Sequence, residues 1–253
     1  MSQFIAITGK GGVGKTTLAA LLVTRLIRRG RKPVLAVDAD PNACLDAALG
    51  VQVHKSLGTV REEAREIAGK GMATGIAKQQ LLELKIAESL VEAVDFDLIS
   101  MGRPEGPGCY CYANNVLKNA LAQIADNYPF VVLDNEAGLE NLSRRIVQSV
   151  DLLILVADPS QRGLETVQRL SRLAAEMGIV HDKCALVVNR LRRDDLPERS
   201  QQIAASVGAD YFVALPDDEQ IAAISENGQP LHRLSDEHAV VQKIDLFLAD
   251  AGY

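Results

Sequence analysis

Residues 8–17 read Thr8-Gly-Lys-Gly-Gly-Val-Gly-Lys-Thr-Thr17. They contain G-x-x-x-x-G-K-T, a loop that cradles phosphate groups when a strand precedes it and a helix follows. Both neighbours are expected. Residues 4–8 (FIAIT) predict a short buried strand, and residues 16–29 predict a helix with apolar positions at Leu18, Leu21, Leu22, Leu26 and Ile27. The glycines let successive backbone N–H groups turn inward around phosphate oxygens, where a side chain would collide. The helix N-terminus adds partial positive charge. Lys15 is placed to reach the β- and γ-phosphates, and the Thr16 hydroxyl to ligate Mg²⁺. The nucleotide-binding stretch is therefore Gly9, Lys10, Gly11, Gly12, Val13, Gly14, Lys15, Thr16 and Thr17.

Working outward, strand-like apolar runs alternate with helical patterns. Further strands are expected at 33–38 (PVLAVD), 96–101 (FDLISM), 130–134 (FVVLD), 152–157 (LLILVA), 184–189 (CALVVN) and 211–215. Their continuous apolar character suits a parallel sheet covered on both faces. Helices are expected at 114–125, 163–177 and 196–207, with a closing amphipathic helix at 240–251. The fold class is α/β: one doubly wound, mostly parallel sheet flanked by helices, with ligands beyond the carboxyl ends of the strands. No Pro/Gly/Ser linker divides the chain, so residues 1–253 are expected to form a single domain. A charged helical insertion is expected near 59–94, interrupted at 69–75.

Composition narrows the function. Apolar residues make up 47% and charged residues 24%, an ordinary globular balance. The net charge of −6 argues against a surface that coats nucleic acid. No apolar run approaches a bilayer span, the chain enters a strand without a signal-peptide pattern, and the closing helix carries mixed charges. A cytoplasmic location without stable membrane association is expected. Disulfides among Cys44, Cys109, Cys111 and Cys184 are not.

Carboxylates complete the phosphate site. Asp38 and Asp40 close the second strand in V-D-A-D-P-N, where carboxylates hold Mg²⁺ through water and orient the attacking water; D-P-N is also good turn chemistry. Asp134 ends the fourth strand after an apolar run and suits a contact to Mg²⁺ or to the phosphate loop. Glu136, in the D-N-E-A-G segment that follows, is a weaker catalytic candidate than Asp40. Asn189 ends another strand, where an Asn commonly caps a turn.

A second lysine, Lys10, stands inside the loop as K-G-G-x-G-K-T. This form resembles the deviant Walker A family, which includes MinD, ParA, nitrogenase iron protein and the arsenite-pump and tail-anchored-targeting ATPases. The resemblance implies ATP or ADP as ligand, ATP hydrolysis, and an ATP-dependent homodimer in which Lys10 reaches the partner's nucleotide. It implies that Asp40, directly before proline, positions or activates water, with Asp38 near the metal. It implies that Asn189 reads the adenine edge, and that Pro216 and Asp217 lie in the last base-contacting loop. The catalytic set is then Lys10, Lys15 and Asp40.

The segment 106–112 (GPGCYCY) is the remaining chemical feature. Residues two apart in an extended segment point the same way, so Cys109 and Cys111 can present two thiolates to one ion. Structural zinc usually takes four ligands. A two-fold dimer would supply that number, since isologous contacts bring identical surfaces together. A reversible redox pair is the alternative. Cys184 sits in an apolar run and reads as core; Cys44 reads as helical packing near the nucleotide.

The combination of the loop, D-A-D-P-N-A-C-L, C-Y-C followed by Asn114, and D-N-E-A-G-L-E-N-L-S-R-R at 134–145 resembles the CooC-type nickel-maturation ATPases of carbon monoxide dehydrogenase and acetyl-CoA synthase. That resemblance implies a metallochaperone handling Ni²⁺ or Zn²⁺ for a client nickel enzyme. Thiolate pairs alone do not separate nickel from zinc. Two rivals stand beside it. An iron–sulfur reductase like nitrogenase iron protein would need a second cluster ligand after the fourth strand, and 134–147 contains no cysteine. A spatial organiser of the MinD or ParA type would bind membrane or DNA, which the acidic balance and non-basic tail disfavour.

Overall fold

The computed structural model describes residues 2–59, 84, 86–103, 110–138, 149–192 and 198–253, with the backbone alone for 110–115. Eight strands among these residues form one sheet: β1 (Gln3–Gly9), β2 (Val34–Ala39), β3 (Leu90–Glu92), β4 (Phe96–Ser100), β5 (Phe130–Asn135), β6 (Ser149–Ala157), β7 (Val180–Leu191) and β8 (Tyr211–Pro216). Their order is β3-β4-β2-β5-β1-β6-β7-β8. Every neighbouring pair is parallel except β3 with β4.

The apolar strands alternate between two cores. Ile5 and Ile7 face one, while Ala6 faces the other. The first core is covered by α1 (Lys15–Arg28), α2 (Leu45–Leu49), α6 (Glu219–Glu226) and α7 (Ala239–Asp250). The second is covered by α3 (Tyr110–Ile124), α4 (Gln161–Glu176) and α5 (Glu198–Ser206). Covering both faces explains why strands such as Val34–Ala39 are buried at every position. Capping fixes where the helices begin. Ser160 accepts from the Gly163 N–H at 3.0 Å, and Asp218 from the Ile221 N–H at 2.9 Å.

Two expectations need correction. Residues 90–92, inside the expected helical insertion, form an antiparallel edge strand, with Leu90 opposite Ile99. Pairing with β4 overrides the local helical pattern, because strand formation depends on cross-strand partners. Residues 60–83 and 85 of that insertion lie outside the described residues. The second correction concerns 106–112. Cys111 belongs to the first turn of α3, so it is helical and not extended, while Cys109 lies outside the described residues.

The C-terminal helix is locked to α1 by charge. Arg25, 9% exposed, makes a two-pronged contact to Asp245 at 2.9 and 2.7 Å and a further hydrogen bond to Asp236. The two carboxylates are unequal: Asp245 is a quarter exposed and Asp236 62% exposed. Breaking a largely buried pair leaves a charge without its partner, whereas an exposed partner is replaced by water. Arg25→Ala should therefore cost about 2 kcal/mol in urea unfolding, and Asp236→Asn should leave the midpoint nearly unchanged. Equal losses in both variants would mean that the outer contact carries as much as the inner one.

Candidate active site

The carboxyl ends of β1, β2, β5, β7 and β8 converge on the loop between β1 and α1. Gly9 is required there by close approach: a Cβ at this position would lie 2.3 Å from the Val156 carbonyl oxygen. Gly14, the N-cap of α1, has φ +93°, and its Cβ would lie 2.5 Å from Asn189 Nδ2. Both restrictions are met only by glycine. The Asn189 amide donates to the Val13 carbonyl at 2.8 Å and its Oδ1 accepts from the Arg190 N–H at 2.9 Å. Asn189 thus clasps the phosphate loop to the end of β7. Arg190 itself adopts φ +60°, beside an irregularity in the β7–β8 register.

The two lysines occupy different environments. Lys15 is buried and donates to the Lys10 carbonyl at 3.3 Å, while the Lys10 side chain is exposed. Burial lowers the Lys15 pKa, opposed by the carboxylates of Asp134, Asp40 and Glu136. Thr17 and Gly14 line a cavity of about 380 Å³ together with Asn189, Pro216 and Asp217. The expected base-contacting residues are thereby brought to one cavity that opens beside the phosphate loop. Arg190, Arg192, Asp218 and Glu226 line it as well. Nothing in their spacing marks them as site residues; they arrive through the irregular end of β7 and the two ends of α6, where Asp218 is the cap and Glu226 the last residue.

Asp38 and Asp134 are paired in register on adjacent strands, and both are 1% exposed. Their surroundings differ. Asp38 Oδ1 accepts from the Asp40 N–H at 3.1 Å, and Oδ2 from those of Cys44 and Leu45 at 2.9 and 3.0 Å. Its carboxyl group organises the turn after β2. Burial still pushes its pKa up to about 6. Asp134 accepts from the Thr16 hydroxyl, and burial raises its pKa to about 7 against the lowering effects of Thr16 and Lys15. Its Oδ1 is buried and has no hydrogen-bond partner among the described residues. A hydroxyl beside a carboxyl with one open oxygen fits a hard, oxygen-seeking cation such as Mg²⁺.

Asp40 sits at the mouth of this site, partly buried, with Oδ1 accepting from the Asn42 N–H at 2.8 Å. The segment after β5 stacks on the phosphate loop: Thr8 Oγ1 donates to the Gly138 carbonyl, and the Gly138 N–H donates to the Gly9 carbonyl at 3.2 Å. Cys44 is exposed as the residue that caps the start of α2, not packed as expected; Leu45 and Leu49 are the positions this helix buries. Cys184 is buried as expected, which pushes its thiol up to about 11.

A family model described as "AAA domain" matches residues 2–183. The chain belongs to that family. It is a P-loop ATPase, and its relatives include ATP-binding proteins along most of its length. An uncharacterized ATP-binding protein of Methanocaldococcus jannaschii is 40% identical over 244 residues, covering 96% of each chain. The carbon monoxide dehydrogenase accessory protein CooC of Rhodospirillum rubrum is 33% identical over 186 residues, covering 69% of this chain and 70% of that one. In architecture, the MinD cell division protein of Aquifex aeolicus superposes with a TM-score of 0.70 at 22% identity, covering 100% of this chain and 98% of its own.

The raised carboxyl pKa values predict a pH dependence. An Asp with an ordinary value near 3.8 is ionised in the unfolded chain above pH 4, while Asp134 keeps its proton to about pH 7 when folded. The native state then binds more protons than the unfolded state over that window, so stability falls as pH rises through it. Asp38 adds to the same slope up to about pH 6. Nucleotide-free Asp134→Asn protein should lose less thermal stability than wild type between pH 5.5 and 8, and at pH 8 should be the more stable by about 2 kcal/mol. Parallel profiles for the two proteins would contradict the buried, proton-retaining carboxyl.

Proposed function

We propose that the chain is an ATP-driven metal-handling protein of the CooC type. It binds ATP with Mg²⁺ in the crevice, pairs with a second copy in the ATP state, and gathers one Ni²⁺ or Zn²⁺ between the Cys109–Cys111 segments of two chains for a client nickel enzyme such as carbon monoxide dehydrogenase or acetyl-CoA synthase. The observation that carries this reading is the similarity to the CooC accessory protein, joined to a C-x-C pair in the stretch that runs from β4 into α3.

The residue roles follow from position. Backbone N–H groups of residues 9–17 and the Lys15 ammonium hold the phosphates. Thr16 and Asp134 are the groups that would hold Mg²⁺, which when bound neutralises phosphate charge. Asp40 orients the attacking water. Asp38 shapes the turn that carries Asp40, and so acts at one remove from the metal. Asn189 fixes the loop and turns its remaining amide capacity toward the base, beside Pro216 and Asp217. Lys10, exposed at the rim, is free to reach the nucleotide of the partner copy.

A second reading is a spatial organiser like MinD, favoured by the likeness of fold. Among the described residues, no helix is long and apolar enough to cross a membrane. Binding of the ATP-loaded protein to liposomes, with no metal bound at stoichiometry, would favour this second reading.

Hydrolysis tests the nucleotide half. Lys15→Ala should lose nucleotide-dependent behaviour, and Asp40→Ala should bind ATP yet turn over at least about a hundredfold more slowly. Light scattering with a non-hydrolysable ATP analogue should show a mass increase in wild type and less in Lys10→Ala. Full turnover in Asp40→Ala, or an unchanged mass response in Lys10→Ala, would remove that residue from its role.

Metal titration with simultaneous mass determination tests the other half. One Ni²⁺ or Zn²⁺ should bind per two chains, with affinity falling as pH drops because thiolates must be deprotonated. Replacing Cys109 and Cys111 by serine should abolish binding, whereas Cys184→Ser should keep it. One metal per chain, or undiminished binding in the double serine variant, would sink the shared site. Iron with visible absorption would point to a cluster instead.

A further inference from the structure

The turn after β2 carries Asp40, and it is held at two places. Its base is gripped by Asp38, whose carboxylate accepts from the N–H groups of Asp40, Cys44 and Leu45. Its tip is Asn42. The Asn42 N–H donates to Asp40 Oδ1 at 2.8 Å, and the Asn42 side-chain oxygen accepts from Arg103 Nη2 at 2.6 Å. Ala43, next in the turn, adopts φ +38°, a left-handed conformation unfavourable for a residue with a Cβ. A strained turn keeps its shape only while its surroundings hold it.

Arg103 is well placed to hold it, because the backbone just before it is fixed. The Met101 N–H donates to the Asp38 carbonyl at 2.8 Å, and the Met101 carbonyl accepts from the Gly58 N–H at 3.0 Å. Gly102 has φ +59°, and a Cβ there would lie 2.3 Å from Ser56 Oγ. The guanidinium presents its donors in a rigid planar set. Asn42 and Arg103 are both exposed, so their contact contributes little to the core. Its evident consequence is the orientation of the tip, and through it of Asp40.

We infer that Arg103 is a positioning residue for ATP hydrolysis, acting on Asp40 through Asn42. This rests on the assignment of Asp40 above. It makes the stretch after β4, which continues in sequence toward Cys109, a determinant of turnover at the nucleotide.

Steady-state hydrolysis by the full chain with MgATP tests it. Arg103→Ala should lower kcat roughly tenfold, the loss expected for one charge-assisted hydrogen bond. KM, the affinity for a fluorescent ATP analogue and the thermal midpoint should stay unchanged. Arg103→Lys should recover part of the rate. Asn42→Ala should match Arg103→Ala, and the double variant should be no slower than either, because both changes remove one contact. Asn42→Asp keeps an acceptor for the guanidinium and should retain most of the rate, which guards against a folding defect in the alanine variants. A wild-type kcat in Arg103→Ala, or losses that multiply in the double variant, would overturn the inference. Asp40→Ala separates the two levels. If it turns over normally, the Asp40 assignment falls and this inference with it. If it is inactive while Arg103→Ala is normal, only the inference falls.

Discussion

Two carboxyl groups buried side by side, Asp38 and Asp134, are the constraint around which the site is arranged. Neither position is tolerable without compensation, since burial disfavours a charged carboxylate. The chain compensates them differently. Asp38 draws backbone N–H groups from the turn beyond β2, so that turn must wrap back over the strand end. Asp134 draws the Thr16 hydroxyl and the charge of Lys15, so α1 must begin directly above β5. The wrapped turn presents Asp40, and the start of α1 presents the phosphate loop. Loop and turn therefore face each other because each is tied to a different member of one buried pair.

Much of this was legible in the sequence, for a physical reason. A strand covered on both faces must be apolar throughout, so the central strands announce themselves, and the polar residues that end them stand out. Asp38, Asp134 and Asn189 were found in this way. The edge strand β3 was not legible, because its three residues are strand only by pairing with β4. The Cys109–Cys111 segment misled because glycine and proline before it suggested an extended loop, whereas α3 already begins at Tyr110. The role of Asn189 was half visible. Its place at a strand end was clear, but its bond to the Val13 carbonyl spans 176 residues and leaves no local trace.

The cavity beside the phosphate loop shows how one irregularity shapes a pocket. β7 and β8 run in register as far as Val188 and Ala214, then shift before Leu191 meets Pro216. Asn189 and Arg190 lie in that shift, so they are released from the ladder. The Asn189 amide then turns onto the phosphate loop, and the positive φ of Arg190 carries the chain around the cavity rim. A straight strand would have committed both residues to pairing with β8. The space is bounded on its other side by α6 and the start of α7, whose caps, Asp218 and His238, also contact each other at 3.3 Å.

Parallel topology explains why the turn that carries Asp40 and the stretch that leaves β4 are neighbours at all. In a parallel sheet every strand delivers its following loop to the same end. β4 lies next to β2, so the stretch leaving β4 emerges beside the turn that leaves β2. The register makes the adjacency close: Asp38 pairs with Ser100, and the next hydrogen bond runs from the Met101 N–H to the Asp38 carbonyl. Any displacement of the backbone near Met101 must therefore act on the strand end that organises Asp40. A coupling between the two stretches needs no long path through the core, because sheet order has already set them one strand apart.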